Sequence, residues 1–457
     1  MHIYARNALL PEGWASNIRL QITAGKVAAI ENGVKAQPGD IEIDTLLPAL
    51  SNVHSHSFQR AMAGMTEYRA KGRDNFLDNF WTWRELMYRF LDHLTRDDIE
   101  AIAAFVFMEM QEAGYAAVGE FHYVHHQPGG APYAALDELS QRIFAAANQT
   151  GIGLTHLPVL YSFGGTGEQA LQGGQQRFGN DYERFVALVE ATKTSAIYAA
   201  ADTTIGVAPH SLRATNPDQM RKIAADFKDG PIHIHAAEQP KEVDDTIVWL
   251  GARPVDWLLD EIGIGANWCL IHCTHMTPLE TKRLAKSGAV AAICPLTESN
   301  LGDGIFNGVE FLNHGGNIGL GSDSCIRISV AGEIATLEYS QRLRDIGRNV
   351  LAIDEGSTGQ QLYMRAARGG AQALGRKSGA IAIGNLADLV AFDSKHPSLC
   401  ALKPAQLIDG WVFASAGNVV TDVWSAGRHC VKGGQHIARE PILQRYRASI
   451  KNLVARL

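Results

Sequence analysis

Eight short apolar runs recur along the middle of this 457-residue chain, each followed by polar residues and then by a helical pattern: residues 45–53, 116–122, 153–160, 204–208, 231–235, 268–272, 290–294 and 318–321. Between them lie stretches such as 97–112, 181–192, 218–227 and 279–286, with apolar residues at three- and four-residue spacing. Eight strand–helix alternations predict an α/β chain with a (β/α)8 TIM-like barrel. The length agrees, because a barrel is among the few single domains that hold several hundred residues.

The flanks follow another rhythm. Residues 1–46, with Ile18-Arg-Leu-Gln-Ile-Thr23, alternate in the manner of short strands, and the style returns from residue 384. The expected domains are a small β-sandwich built from both chain ends (1–46 and 384–457) around a barrel at 47–383. An amphipathic helix over 442–457 ends the chain, with packing as its role.

Net charge is −7, sequence pI is near 6.2, and no basic block occurs, so nucleic acid is not an expected partner. The six cysteines share no pair spacing, the first residues lack a signal-peptide core, and no run is long enough to span a membrane. A soluble cytoplasmic protein is expected.

The polar clusters that look chemical fall at the C-terminal ends of the expected strands, where barrels keep their active sites. His54 and His56, two residues apart, point to one side of the first strand. The fifth strand gives His233, His235 and, just beyond, Glu238; the sixth gives His272; the eighth gives Ser322 and Asp323. Imidazoles with a carboxylate suit zinc or a similar divalent ion, which would lower the pKa of bound water to about 7. Glu238 is the natural proton carrier beside such a site. His233 is expected to fill an inner barrel layer, and the cysteines near His272 to pack.

This set resembles the amidohydrolase superfamily, in its mononuclear deaminase branch, over nearly the whole chain. The resemblance implies metal ligands His54, His56, His235 and Asp323, Glu238 as proton shuttle, and His272 orienting or polarising the attacking water. The fourth strand ends Val207-Ala-Pro-His-Ser-Leu-Arg213 without the bridging lysine of two-metal branches, so one ion per chain is expected, zinc first. Within the superfamily, Gln59-Arg60, Phe80-Trp-Thr-Trp-Arg84, Phe121-His-Tyr123 and His210-Ser-Leu-Arg213 look like the formimidoylglutamate deiminases of histidine degradation. That likeness implies a small anionic substrate, N-formimino-L-glutamate, cut to N-formyl-L-glutamate and ammonia.

The residues agree with an anionic substrate, since arginine's fork binds carboxylates in bidentate fashion. Arg213 and Arg84 are the expected carboxylate anchors, with Gln59, Tyr123 and His210 as further hydrogen-bonding groups. Arg84 lies in an aromatic segment, 76–90, that could equally be a helix packed over the barrel, with Trp81 and Trp83 as packing residues. Replacing Arg213 is expected to leave Glu238 untouched. The competing functions are deamination of a purine-, pterin- or triazine-like ring, hydrolysis of a cyclic amide, and a non-catalytic metal-binding protein. A homodimer is expected from the resemblance alone.

Overall fold

The computed structural model describes residues 1–67, 78–417 and 419–456. The chain begins with β1 (His2–Leu10), β2 (Gly13–Thr23), β3 (Lys26–Asn32) and β4 (Ile41–Pro48). In β2 the alternation does what a half-buried strand requires: Ile18, Leu20 and Ile22 are buried, while Gln21 and Thr23 are exposed.

The barrel strands are β5 (Leu50–Ser55), β6 (Tyr115–His122), β7 (Gly153–Leu160), β8 (Thr204–Ile205), β9 (Ala208–Pro209), β10 (Ile232–Ala236), β11 (Trp268–His272), β12 (Val290–Ile293) and β13 (Asn317–Leu320). They run in the order β10-β11-β12-β13-β5-β6-β7-β8, every neighbouring pair parallel, and β9 pairs with β7. Parallel bridges Val207–Ile232 and Ser211–His235 close the ring. Helices cover the outside, so these strands are buried on both faces.

Two expected strands prove to be broken. The run 45–53 divides at Ala49 into β4, which belongs to the small sheet, and β5, which opens the barrel. The run 204–208 divides into β8 and β9 at Gly206, where a Cβ would stand 2.6 Å from the Pro231 carbonyl oxygen. The first break lies inside a continuous buried segment and the second inside one short run that passes from half-buried Thr204–Ile205 to buried Ala208–Pro209, so hydrophobic periodicity carries no sign of them.

The chain ends with β14 (Leu389–Phe392), β15 (Val420–Ser425), β16 (Arg428–Lys432), β17 (Gln435–His436) and a helix, Arg439–Val454. These strands join the first four in one mixed sheet, β17-β16-β15-β14-β4-β1-β2-β3, around a separate core that includes Ile3, Leu20, Leu46, Leu389 and Trp424. The terminal helix packs on the barrel helix Arg96–Glu112, with Tyr446 stacked on Phe105 at 3.8 Å. Residue 457 lies outside the described residues. At the N-terminal end of the barrel, the helix Thr358–Ala373 ends beneath the strands. The Ala373 and Leu374 carbonyls accept hydrogen bonds from His233 Nε2 (2.7 Å) and Thr155 Oγ1 (2.8 Å), forming a floor.

Candidate active site

At the opposite, C-terminal end, the strand tips gather three imidazoles and a carboxylate. One ligating nitrogen of each of His54, His56 and His235 lies within 4.8 Å of the others. Asp323 Oδ1 stands 3.4 Å from His54 Nε2 and 3.5 Å from His56 Nε2. Backbone carbonyls turn two of the rings: His56 Nδ1 donates to Phe121 O and His235 Nδ1 to His210 O, both at 3.0 Å, which leaves each Nε2 free. His54 is buried, yet neither of its ring nitrogens makes a hydrogen bond among the described residues. A Cβ at Gly321 would approach the His54 Cβ to 2.8 Å, so glycine there keeps the space for this ring.

Burial, with His56 beside it, pushes the His54 pKa down to about 3, and burial likewise lowers His56 and His235. Burial opposes the Asp323 charge, but contact with His54 holds its carboxyl below the usual range. Neutral imidazoles, an ionised carboxylate and an orphaned buried ring nitrogen are the donor set a divalent metal ion requires. The residues fit such an ion.

His272 ends β11. Its Nε2 is 3.8 Å from both Glu238 Oε1 and Asp323 Oδ2, and its Nδ1 donates to Glu298 Oε1 at 3.2 Å. Burial disfavours its charge, but the carboxylates of Glu238, Glu298 and Asp323 push its pKa up to about 10. Glu242 accepts from the backbone N–H groups of Ala237 and Glu238 (3.1 and 3.0 Å) and so fixes the turn that carries Glu238. The backbone is strained around these groups: Ala237, His272, Cys273, Asp323 and Cys325 all have positive φ, between 46° and 70°.

The site opens into a cavity of about 1000 Å³, counted to its mouth and lined in part by Gln59, Trp81, Arg84, Tyr123, His210 and Arg213. Gln59 Nε2 donates to the Tyr123 hydroxyl at 2.7 Å, and the His210 ring stacks on His235 at 4.8 Å. Arg84, on the helix Phe80–Leu91, lies over the rings of Trp81 (4.6 Å) and Tyr88 (5.7 Å), with no ion-pair partner among the described residues. The expected helix over the barrel and the expected cavity residue are therefore both present; residues 76 and 77 of that segment lie outside the described residues. Trp81 and Trp83 line the cavity wall.

Arg213 corrects one expectation. Its Nη2 donates to Glu238 Oε2 at 2.8 Å, so a change at Arg213 cannot leave Glu238 untouched. Its Nη1 is buried without a partner among the described residues. Burial opposes the guanidinium charge, but Glu242 and Glu238 raise its pKa. Arg60, by contrast, faces away from the cavity and binds the Cys325 and Ile326 carbonyls.

Glu242 and Glu298, which hold Glu238 and His272, escaped the sequence reading. A glutamate four residues after the expected shuttle was the available signal for Glu242. Glu298 had none, since it lies on the seven-residue helix Pro295–Leu301 after a different strand.

Residues 45–430 match the model of a family described as "Amidohydrolase family", and residues 1–42 match one described as "Formimidoylglutamate deiminase HutF, N-terminal domain". The chain belongs to the amidohydrolase family. This amidohydrolase is 47% identical, over 441 residues and 96% of each chain, to the formimidoylglutamate deiminase of Pseudomonas aeruginosa. It is similar to the crystal structure of an amidohydrolase from Brucella melitensis, with a TM-score of 0.94, 46% identity and 99% of both chains covered. A zinc-bound adenosine deaminase from Xanthomonas campestris shares the fold at TM-score 0.81 and 19% identity, covering 99% of this chain and 98% of that one. The family is metal-dependent. Among the described residues, no helix is long and apolar enough to cross a membrane.

Proposed function

We propose that this amidohydrolase hydrolyses N-formimino-L-glutamate to N-formyl-L-glutamate and ammonia, a step of histidine degradation, with one zinc ion per chain held by His54, His56, His235 and Asp323. The relative with 47% identity over nearly full length supports the substrate. Zinc, when bound, supplies Lewis acidity and lowers the pKa of coordinated water to about 7. Asp323 takes the proton of the attacking water. His272, held by Glu298 and facing Glu238 and Asp323, stabilises the oxygen as it adds to the formimino carbon. Both protons of the water end on the terminal nitrogen: Glu238 carries one to it, the proton taken by Asp323 follows as the hydroxyl of the tetrahedral centre becomes the formyl carbonyl, the C–N bond to that nitrogen breaks, and ammonia leaves.

Which nitrogen departs depends on how the glutamate part is held. Arg84 and Arg213 bind its carboxylates, and Gln59, Tyr123 and His210 complete the pocket, so the terminal nitrogen meets Glu238. The observation that carries this reading is the pair of guanidinium groups on the cavity wall. Arg84 has no carboxylate partner among the described residues, and Arg213 keeps a buried N–H group unpaired. Uncharged rings would leave both unsatisfied. The proposed setting is the cytoplasm, which suits six unpaired cysteines.

The test has two parts. Elemental analysis of the purified protein is expected to find one zinc per chain. Ammonia release is then followed with formiminoglutamate and with purine, pterin and triazine rings, and only the first is expected to react well. Two tightly bound ions, or a ring as the preferred substrate, would overturn the reading.

A further inference from the structure

The helix Phe80–Leu91 brings Trp81, Arg84, Met87 and Tyr88 to the cavity as a roof, yet it belongs to none of the barrel's strand–helix repeats. Its seat is the short turn Gly173–Arg177, which follows β7. Arg177 is fully buried, and among the described residues it has no ion-pair partner. Its hydrogen bonds go to carbonyl oxygens: Nη1 donates to Leu91 O and, at 3.0 Å, to Leu94 O, and Nε donates to His126 O at 2.9 Å.

A cation at a helix C-terminus satisfies the last carbonyls and meets the negative end of the helix dipole. A buried guanidinium without a carboxylate is otherwise unfavourable, and burial lowers its pKa here. The same turn touches the roof twice more. Gln175 Nε2 reaches the hydroxyls of Tyr88 and Tyr161, both at 3.3 Å, and a Cβ at Gly174 would stand 3.2 Å from the Tyr88 Cβ. The Arg177 carbonyl, in turn, accepts from the backbone N–H groups of His125 and His126 at 2.9 Å, on the loop that follows Tyr123.

We propose that Arg177 is a positioning residue for substrate recognition: by holding the Leu91 and Leu94 carbonyls it fixes the roof helix at the height where Arg84 meets a substrate carboxylate. The inference rests on the reaction proposed above. It makes no contact with the metal-binding or proton-transfer groups, so its signature is a change in KM with kcat preserved.

The test compares Arg177→Lys, Arg84→Met and the double variant. Arg177→Lys is expected to raise KM for formiminoglutamate about tenfold, with kcat within about threefold and metal content unchanged. The double variant is expected to be no worse than Arg84→Met alone, because both changes remove the same contact. Hydrogen exchange at the amides of residues 80–91 is expected to quicken in Arg177→Lys without substrate. Additive losses in the double variant, or unchanged exchange in that helix, would overturn the proposal. Should Arg177→Lys fail to fold, Gly174→Ala, which crowds Tyr88 without altering charge, takes its place with the same expectations. If the unmodified enzyme does not turn over formiminoglutamate, the reaction reading fails, and the exchange measurement still decides the role of Arg177.

Discussion

At the floor of the barrel, where it meets the small sheet, Arg376 donates to Asp388 at 2.6 Å and to Asp202 at 2.7 Å, and Arg428 binds the same Asp202 at 2.7 Å. Every charge in that cluster meets its opposite. At the mouth, among the described residues, His54 makes no hydrogen bond and Arg213 keeps an unpaired N–H group, while carboxylates crowd His272. Five of the non-glycine residues with positive φ cluster at these strand ends. The floor is complete as it stands, whereas the mouth is arranged for something that must still bind. A satisfied buried network is a structural joint, and an unsatisfied, strained one marks a site of chemistry.

Substitutions at the two ends should therefore fail in different ways. His235→Ala at the mouth is expected to lose the metal and reduce turnover to background while the fold persists, as read by elemental analysis and circular dichroism. Arg376→Met at the floor leaves the buried Asp388 carboxylate without its cation and Asp202 with Arg428 alone, so stability is expected to fall by about 3–5 kcal/mol in denaturant titration. Its activity per folded molecule should be unchanged. If Arg376→Met impaired kcat as strongly as His235→Ala, the distinction between joint and site would be wrong.

Glu238→Gln sharpens the comparison within the mouth. It keeps the size of the side chain and removes its proton chemistry, so turnover is expected to fall by a factor on the order of 10² or more with zinc content retained. Full activity in this variant would remove Glu238 from the proton-transfer role.

A smaller effect is expected just outside the proposed metal-binding residues, at Glu120. Its Oε1 accepts from the Ser57 backbone N–H (2.9 Å) and hydroxyl (2.5 Å), while its Oε2 is buried without a partner among the described residues. Burial, partly offset by Ser57, pushes its pKa up to about 7 from 4.5. Between those two values the folded protein holds a proton that the unfolded chain releases, so this group's contribution to stability falls as pH rises through the window. Glu120→Gln is expected to flatten that dependence and to stabilise the protein by about 1–3 kcal/mol above pH 7. An unaltered pH–stability curve would show that Glu120 titrates normally.

The barrel was legible because its strands are short apolar runs regularly separated by helical periods, and the small sheet because residues such as Ile18, Leu20 and Ile22 alternate. Chain breaks at Ala49 and Gly206 were hidden, since the flanks of Ala49 are buried and apolar and the Gly206 break falls within the short run 204–208, between half-buried Thr204–Ile205 and buried Ala208–Pro209. The imidazoles and Asp323 announced themselves through residue type and place at strand ends. Glu298 and Arg177 did not, because their roles depend on partners brought close only by folding: Glu298 lies 26 residues from His272, and Arg177 lies 83 residues from Leu94, whereas Glu242 binds the nearby turn of Ala237 and Glu238. The pairing of Arg213 with Glu238 was invisible for the same reason, and in the proposed reaction it joins substrate binding to proton transfer in one contact.

The most direct test is the identity of the products. A tetrahedral centre at the formimino carbon holds two nitrogens that could leave, and the one facing Glu238 departs. In the proposed binding mode, with the glutamate part held by Arg84 and Arg213, the purified protein loaded with zinc and incubated with N-formimino-L-glutamate should yield N-formyl-L-glutamate and ammonia in equal amounts, followed by NMR and an ammonia assay. Glutamate and formamide in their place, or no turnover at all, would contradict the account.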